Sequence, residues 1–283
     1  MIDQHDVTAN GLTFSVRRAG PAAGRPVLLL HGFPQNSWCW RSQLDVLGDA
    51  GYRAVAPDQR GYADGARPVE VADYAAAHLV ADVVALADAL EMETFDLVGH
   101  DWGGMVSWLT AARHPDRVRS LSVVSTPHPL ALRLALFSED PEQANPTGFT
   151  DAYRQPDVPE TLLLGPDGSG SGLRTLLASS GLAAEAVDAY VNPLTQPGAL
   201  TAALNWFRAM TGDEVAHLPA VTVPTLYVWS TGDAALGRTA AEATAVYVSG
   251  PYTYVVLEGV SHWIPESAPD QLSDALMAHL SST

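Results

Sequence analysis

Residues 95–104 read FDLVGHDWGG, and the six residues GHDWGG at 99–104 decide how the chain is folded. A short apolar run closes on glycines crowded around a histidine, an aspartate and a tryptophan, and MVSWLTAARHP follows with helical spacing. A strand that passes into a helix this quickly needs a sharp turn. Small residues two places either side of the tip let the two backbones nearly touch. Gly99 and Gly103 fill those places around Asp101. The tip residue of such an elbow is strained, with its side chain standing clear of the sheet, which makes Asp101 a candidate nucleophile. These residues alone leave a second reading open, an ordinary strand–turn–helix whose aspartate caps the helix. No G-x-S-x-G occurs elsewhere, so the chain has no rival serine elbow.

Working outward, strands and helices alternate. VLLLHG (27–32) is a continuous apolar run of the kind expected for a buried parallel strand, and YRAVAPD reads as another. Between them WRSQLDVLGDAG has helical spacing and a glycine stop. Residues 71–90 form an amphipathic pattern, and SLSVVSTP (120–127) is the strand after the elbow helix. Near the N-terminus, Asn10–Gly11 between two apolar stretches predicts a two-residue hairpin turn. From about 130 to 218 the rhythm breaks into helical pieces interrupted by SEDPEQANPTG and GPDGSGSG. The second of these reads as a connector, since no strand feeds it as a phosphate loop requires. Near 221 the alternation resumes with VTVPTLYVWS, a helix through RTAAEATAVYV, the strand TYVVLEG and a last helix from about 269. The expected fold class is α/β, a mostly parallel central sheet with helices on both faces and an inserted helical segment.

Composition narrows the chemistry. The 283 residues carry 32 acidic side chains against 15 arginines and no lysine, a formal net charge of −17. That charge repels nucleic-acid backbones and anionic membrane surfaces. The missing lysine removes Schiff-base chemistry and the P-loop lysine. Cys39 is the single cysteine, so no internal disulfide or thiolate metal cluster is expected, and its place in SWCW suits a packing thiol. The N-terminus lacks a signal-peptide pattern and no apolar run reaches the roughly 18 residues needed to span a bilayer, so a cytoplasmic protein is expected. Monomer and homodimer both remain open.

A nucleophile needs partners. Asp233 follows the strand ending YVWS, and His262 follows the last predicted strand in LEGVSHWIPE. The carboxyl ends of parallel strands share one edge, where sites assemble. The order nucleophile, acid, histidine is that of a hydrolase triad. His31-Gly32-Phe33-Pro34 follows the strand VLLL, where the backbone N–H groups of Phe33 and Trp102 would converge as an oxyanion hole.

Together HGFPQNSWCWR, APDQRGY, GHDWGG, the GD of Asp233 and GVSHW resemble the α/β-hydrolase superfamily, and within it the epoxide hydrolase branch, whose nucleophile is aspartate. The resemblance spans essentially the whole chain. It implies a core of residues 1–129 and 215–283, with 130–214 as a helical cap. It also implies attack by Asp101 on an epoxide carbon, followed by hydrolysis of the resulting ester by water that His262 activates and Asp233 orients. The expected pocket is lined by His31, Pro34, Trp38, Phe149, Tyr153, Trp206 and Phe207. The substrate is a small molecule, and neither metal nor cofactor is implied.

The sequence departs from that family in its cap. Two tyrosines usually face the ring oxygen there, one in an Asn-Trp-Tyr-Arg stretch, and here the run is Asn205-Trp206-Phe207-Arg208. Phe149 stands at the second position, with Tyr153 one helical turn further on and Tyr190 as a weaker substitute. Haloalkane dehalogenation is the alternative, with Trp102 and one of Asn36, Trp38 or Trp206 as halide donors. Another hydrolase or lyase activity on a specialised metabolite, or a non-catalytic receptor on this fold, are further readings.

Overall fold

The chain begins with the hairpin that Asn10–Gly11 predicts. Strands β1 (Asp3–Ala9) and β2 (Leu12–Ala19) pair antiparallel about Asn10 (φ 49°) and Gly11 (φ 75°). A two-residue turn matching the twist of its strands needs positive φ at both positions, which Asn and Gly tolerate. The structure is a computed structural model describing residues 1–136 and 147–283; the side chains of 147–149 lie outside the description.

Next come β3 (Pro26–Leu30), α1 (Arg41–Asp49), β4 (Arg53–Pro57), α2 (Ala76–Ala89), β5 (Phe95–His100), α3 (Trp102–Arg113) and β6 (Val118–Val124). The insertion follows with α4 (Pro129–Leu136), α5 (Thr147–Arg154), α6 (Val158–Leu164), α7 (Ser171–Ser179), α8 (Ala184–Leu194) and α9 (Ala199–Ala209). The chain closes with β7 (Thr225–Gly232), α10 (Arg238–Ala243), β8 (Tyr252–Ser261), α11 (Ile264–Ser267) and α12 (Pro269–Ser281). One sheet of the order β1-β2-β4-β3-β5-β6-β7-β8 takes in all eight described strands. β2 meets β4 antiparallel, and from β4 to β8 every pairing is parallel. Every residue of β5 is buried, which is why its sequence shows no polar alternation.

Three boundaries shift from the sequence expectation, each for a local reason. The helix expected over 71–90 is a 3-10 turn at Val71–Tyr74 followed by α2, because Ala75 is extended at ψ 149°. Arg60 binds the Asp73 carbonyl at 3.0 Å and the Tyr74 hydroxyl donates to Pro68 O, which hold the turn apart from the helix. The strand expected from 221 starts at Thr225, after Pro224; Val221 keeps only an isolated bridge to Val248. Proline has no N–H to give the ladder. The helix through RTAAEATAVYV ends at Ala243 and tightens to 3-10 geometry over Thr244–Tyr247.

Specific bonds tie the insertion to the loops after β3 and β4. The Trp206 indole N–H of α9 donates to the Arg60 carbonyl at 2.8 Å, and Asn36 Nδ2 donates to the Ala189 carbonyl of α8 at 2.8 Å. Arg60 in turn forms a buried two-pronged pair with Asp82 of α2, at 2.6 and 2.8 Å. GPDGSGSG forms the turn between α6 and α7, with Asp167 accepting from Ser169. Most of SEDPEQANPTG lies outside the described residues. Among the described residues, no helix is long and apolar enough to cross a membrane.

Candidate active site

Asp101 sits between β5 and α3 at φ 52°, ψ −121°, a conformation that non-glycine residues rarely adopt. Close backbone approach forces it. A Cβ on Gly99 would lie 2.3 Å from the Gly103 carbonyl oxygen, and one on Gly103 would lie 2.2 Å from Leu30 O. The Thr126 hydroxyl donates to the Asp101 carbonyl at 2.7 Å and pins the turn from β6. The Asp101 side chain remains 23% exposed, so its carboxylate is reachable.

The parallel sheet delivers the partners to the same edge. Asp233 follows β7 and His262 follows β8. His262 Nδ1 lies 2.8 Å from Asp233 Oδ2, and Nε2 lies 3.6 Å from Asp101 Oδ2. Asp233 Oδ1 accepts the backbone N–H groups of Ala235 and Leu236 at 2.8 and 3.0 Å, which fixes the carboxylate against the ring. Burial alone favours a neutral His262, but the charges and hydrogen bonds of Asp233 and Asp101 outweigh it and raise its pKa to about 10. For Asp101 burial pushes upward, and the hydrogen bond and charge of His262, with His100 and the Trp102 N–H, bring the net shift below the usual carboxylate value.

The two expected oxyanion donors both lie against this carboxylate. Phe33 N–H donates to Asp101 Oδ1 at 2.8 Å, while the Trp102 N–H also favours the charged carboxylate. The loop after β3 is shaped for this approach. A Cβ on Gly32 would fall 2.3 Å from Asp101 Cβ and Oδ1, and the Phe33–Pro34 peptide is cis. His31 is buried beneath the loop: Gln59 N–H donates to its Nε2 at 3.1 Å and its Nδ1 bonds the Gly32 carbonyl at 2.9 Å. It braces the loop from behind.

Aromatic rings from the insertion cover the elbow. Phe207 of α9 packs edge-on against Trp102 (4.9 Å between centroids) and Phe33 (5.2 Å), and Tyr153 of α5 meets Phe33 at 5.4 Å and Phe207 at 5.2 Å. Tyr153 therefore reaches the site from one turn beyond Phe149, whose side chain lies outside the described residues. Trp206 packs against Trp102, and its indole N–H is already engaged by Arg60. Trp38 stacks edge-on with Tyr190 at 5.7 Å. The Tyr190 hydroxyl is already engaged, donating to Glu266. Sequence reading missed Glu266, Gln35 and His100, a hydrogen-bonded polar chain beside His262. Among the described residues no group of three His, Cys, Asp or Glu could hold a metal ion.

Such a site can attack carbon with an already ionised carboxylate, then activate water against the ester so formed. A sequence model of the alpha/beta hydrolase fold matches residues 25–269. The chain is 34% identical over 281 residues to the AB hydrolase superfamily protein YfhM of Bacillus subtilis, covering 97% of this chain and 96% of that one. It is 32% identical over 314 residues to epoxide hydrolase A of Mycobacterium tuberculosis, again covering 97% and 96%. A solved structure described among novel epoxide hydrolases from metagenomes of hot environments superposes with a TM-score of 0.89 at 29% identity, covering 99% of each chain.

Proposed function

The chain belongs to the α/β-hydrolase fold family and to its epoxide hydrolase branch, and from that premise we propose that it opens an epoxide to a diol through an ester on Asp101. One observation carries the reading: the two oxygens of a single carboxylate are assigned different work. Oδ1 is held by the Phe33 N–H, and Oδ2 faces His262.

The protons then balance without an outside donor. In the resting site Asp101 is ionised and His262 holds a proton. Oδ2 attacks an epoxide carbon, the carbon–oxygen bond breaks, and the ring oxygen takes one proton. Tyr153 is the hydroxyl that hands it over, drawing ultimately on His262. Esterification removes the charge of Asp101, one of the carboxylates that kept His262 protonated, so the ring becomes a base when a base is needed. Neutral His262, oriented by Asp233, takes a proton from water as it attacks the ester carbonyl. The oxyanion forms on Oδ1, where the Phe33 and Trp102 N–H groups meet it. Release of the diol restores ionised Asp101 and protonated His262.

Segment 130–214 acts as the cap over the core of 1–129 and 215–283. Trp38, Pro34, Tyr153 and Phe207 line the pocket, and His31 and Trp206 support it. Of the three halide donors a dehalogenase would use beside Trp102, Asn36 is bonded to Ala189 and Trp206 to Arg60, which leaves Trp38. That favours the epoxide reading. A cytoplasmic protein acting on a small molecule fits the acidic surface.

An epoxide panel with a single-turnover arm in ¹⁸O-water tests the proposal. The expected first diol contains no label, because its new oxygen comes from Asp101. Label in that first product overturns the covalent route. Absence of turnover of every epoxide in both wild type and Phe207→Tyr, with halide release from haloalkanes, overturns the activity.

A further inference from the structure

His100, the residue before the elbow aspartate, is buried with an oxygen opposite each ring nitrogen. Nδ1 lies 2.8 Å from Gln35 Oε1, and Nε2 lies 2.9 Å from the His262 backbone carbonyl, which also accepts the Ser125 hydroxyl at 3.0 Å. The other end of the Gln35 amide lies 2.6 Å from Glu266 Oε1, and that oxygen accepts the Tyr190 hydroxyl from α8.

Counting hydrogens along this chain leaves few arrangements. A carbonyl only accepts, so Nε2 must carry hydrogen, and a neutral imidazole then has none on Nδ1. Gln35 can supply it with the amide turned so that its nitrogen faces His100, which costs the Gly32 N–H the oxygen it points at from 3.4 Å. Its oxygen then faces Glu266 Oε1 at 2.6 Å, and two oxygens that close need a proton between them, so Glu266 is neutral. The other arrangement keeps the Gln35 oxygen on the Gly32 N–H and its nitrogen on an ionised Glu266, and requires hydrogen on both nitrogens of a charged His100. Each arrangement holds one proton. With Glu266 ionised and His100 neutral, one contact must set an oxygen against a bare lone pair.

We propose that His100, Gln35 and Glu266 together trap one proton, and that this proton fixes the turn carrying His262, making Glu266 a positioning residue for the general base. The functional half of this rests on the reading of His262 given above.

The surroundings favour the proton on Glu266. Among the described residues its buried Oε2 has no side-chain partner, which leaves an ionised carboxylate poorly solvated on that side. Burial raises the Glu266 pKa to about 6 against the hydrogen bonds of Tyr190 and Gln35, and burial with the His262 charge lowers His100 to about 4. The groups facing this carboxyl are Tyr190 from α8, Gln35 from the β3 loop, Cys39 from the turn before α1, and Arg41, whose guanidinium rests 3.6 Å above the Trp38 ring. His262 faces His100 with ring centroids 4.9 Å apart. As pH rises through the Glu266 range the proton leaves, and the bond from His100 to the His262 turn loses its partner network.

The test is spectroscopic first and kinetic second, on the full-length protein near pH 5, between the two shifted values. ¹⁵N NMR is expected to show a neutral His100 with hydrogen on Nε2, and infrared difference spectra a carboxylic-acid band that disappears in Glu266→Gln. A charged His100 without that band also supports the trapped proton. A neutral His100 beside an ionised Glu266 overturns it. In single turnover, Glu266→Gln is expected to make ester hydrolysis independent of pH across the Glu266 range. Glu266→Ala is expected to slow that step about tenfold while ring opening changes less, so alkyl-enzyme accumulates. An unchanged pH inflection in Glu266→Gln overturns the positioning role. The spectroscopic arm needs no substrate, so failure of epoxide turnover would remove the activity and leave the proton's location decided.

Discussion

An aspartate held at φ 52° stores strain that its neighbours must contain, and the containment is visible atom by atom. Gly32 has no room for a methyl group beside the Asp101 carboxylate. Gly32→Ala is expected to leave the fold intact but displace Oδ1 from the Phe33 N–H, cutting ester formation about 10²-fold, as misplacements of an ångström do. Stopped-flow alkylation rates against thermal melts separate the two effects. The cap offers a second prediction. With Phe207 beside Phe33 and Trp102, Tyr153 is the cap hydroxyl the described residues bring to this cluster. Tyr153→Phe should slow ring opening about 10²–10³-fold, the usual loss for an oxyanion donor, and Phe207→Tyr should raise it. Equal rates in wild type and Tyr153→Phe would remove Tyr153 from the proton path. Asp101 could be recognised from sequence because glycine spacing is a local demand. Glu266 could not, because its partner Tyr190 is 76 residues away and only the fold joins them.

At the scale of elements, APDQRGY shows how a motif can be visible while its work stays hidden. Arg60 pairs with Asp82 on α2, binds the Asp73 carbonyl before it, and offers its own carbonyl to Trp206 on α9. One buried arginine thus registers a core helix, a loop and an inserted helix. Removing it leaves Asp82 buried and charged, although Asn10 still donates to it at 2.7 Å. Arg60→Met is expected to cost about 3–5 kcal/mol, read from urea midpoints, and Arg60→Met with Asp82→Leu to recover much of it. The same pairings explain where sequence periodicity overran the structure. The apolar pattern of 71–90 is continuous, but Arg60 and Pro68 take the carbonyl and hydroxyl of residues 73 and 74, and the helix starts only at Ala76. The parallel strands were readable because burial on both faces leaves an unbroken apolar run. The insertion was readable only as helical, since its helices take their positions from single bonds such as Asn36 to Ala189.

Across the whole molecule, the sheet edge gathers two carboxylates around one imidazole, and this makes proton binding, catalysis and stability a single problem. His262 is held at about 10, above its ordinary 6.5, so it binds its proton more tightly folded than unfolded. Its contribution to stability is full below pH 6.5 and is lost as pH rises from there through about 10. Asp101 acts in the opposite sense. Its pKa is depressed below 3.8, so its contribution is present above that value and lost as pH falls through the folded value. Asp101→Asn removes one carboxylate while keeping the shape, and its neutral amide stands in for the ester of the proposed cycle. The His262 pKa is therefore expected to fall from about 10 toward 6.5 in that variant, and the alkaline loss of stability to shrink and finish at lower pH. NMR titration of the His262 ring, with urea midpoints taken across the alkaline range, measures both. If the ring titrates at the same pH in wild type and Asp101→Asn, ester formation cannot be what converts His262 from proton holder to base, and the closed proton cycle fails.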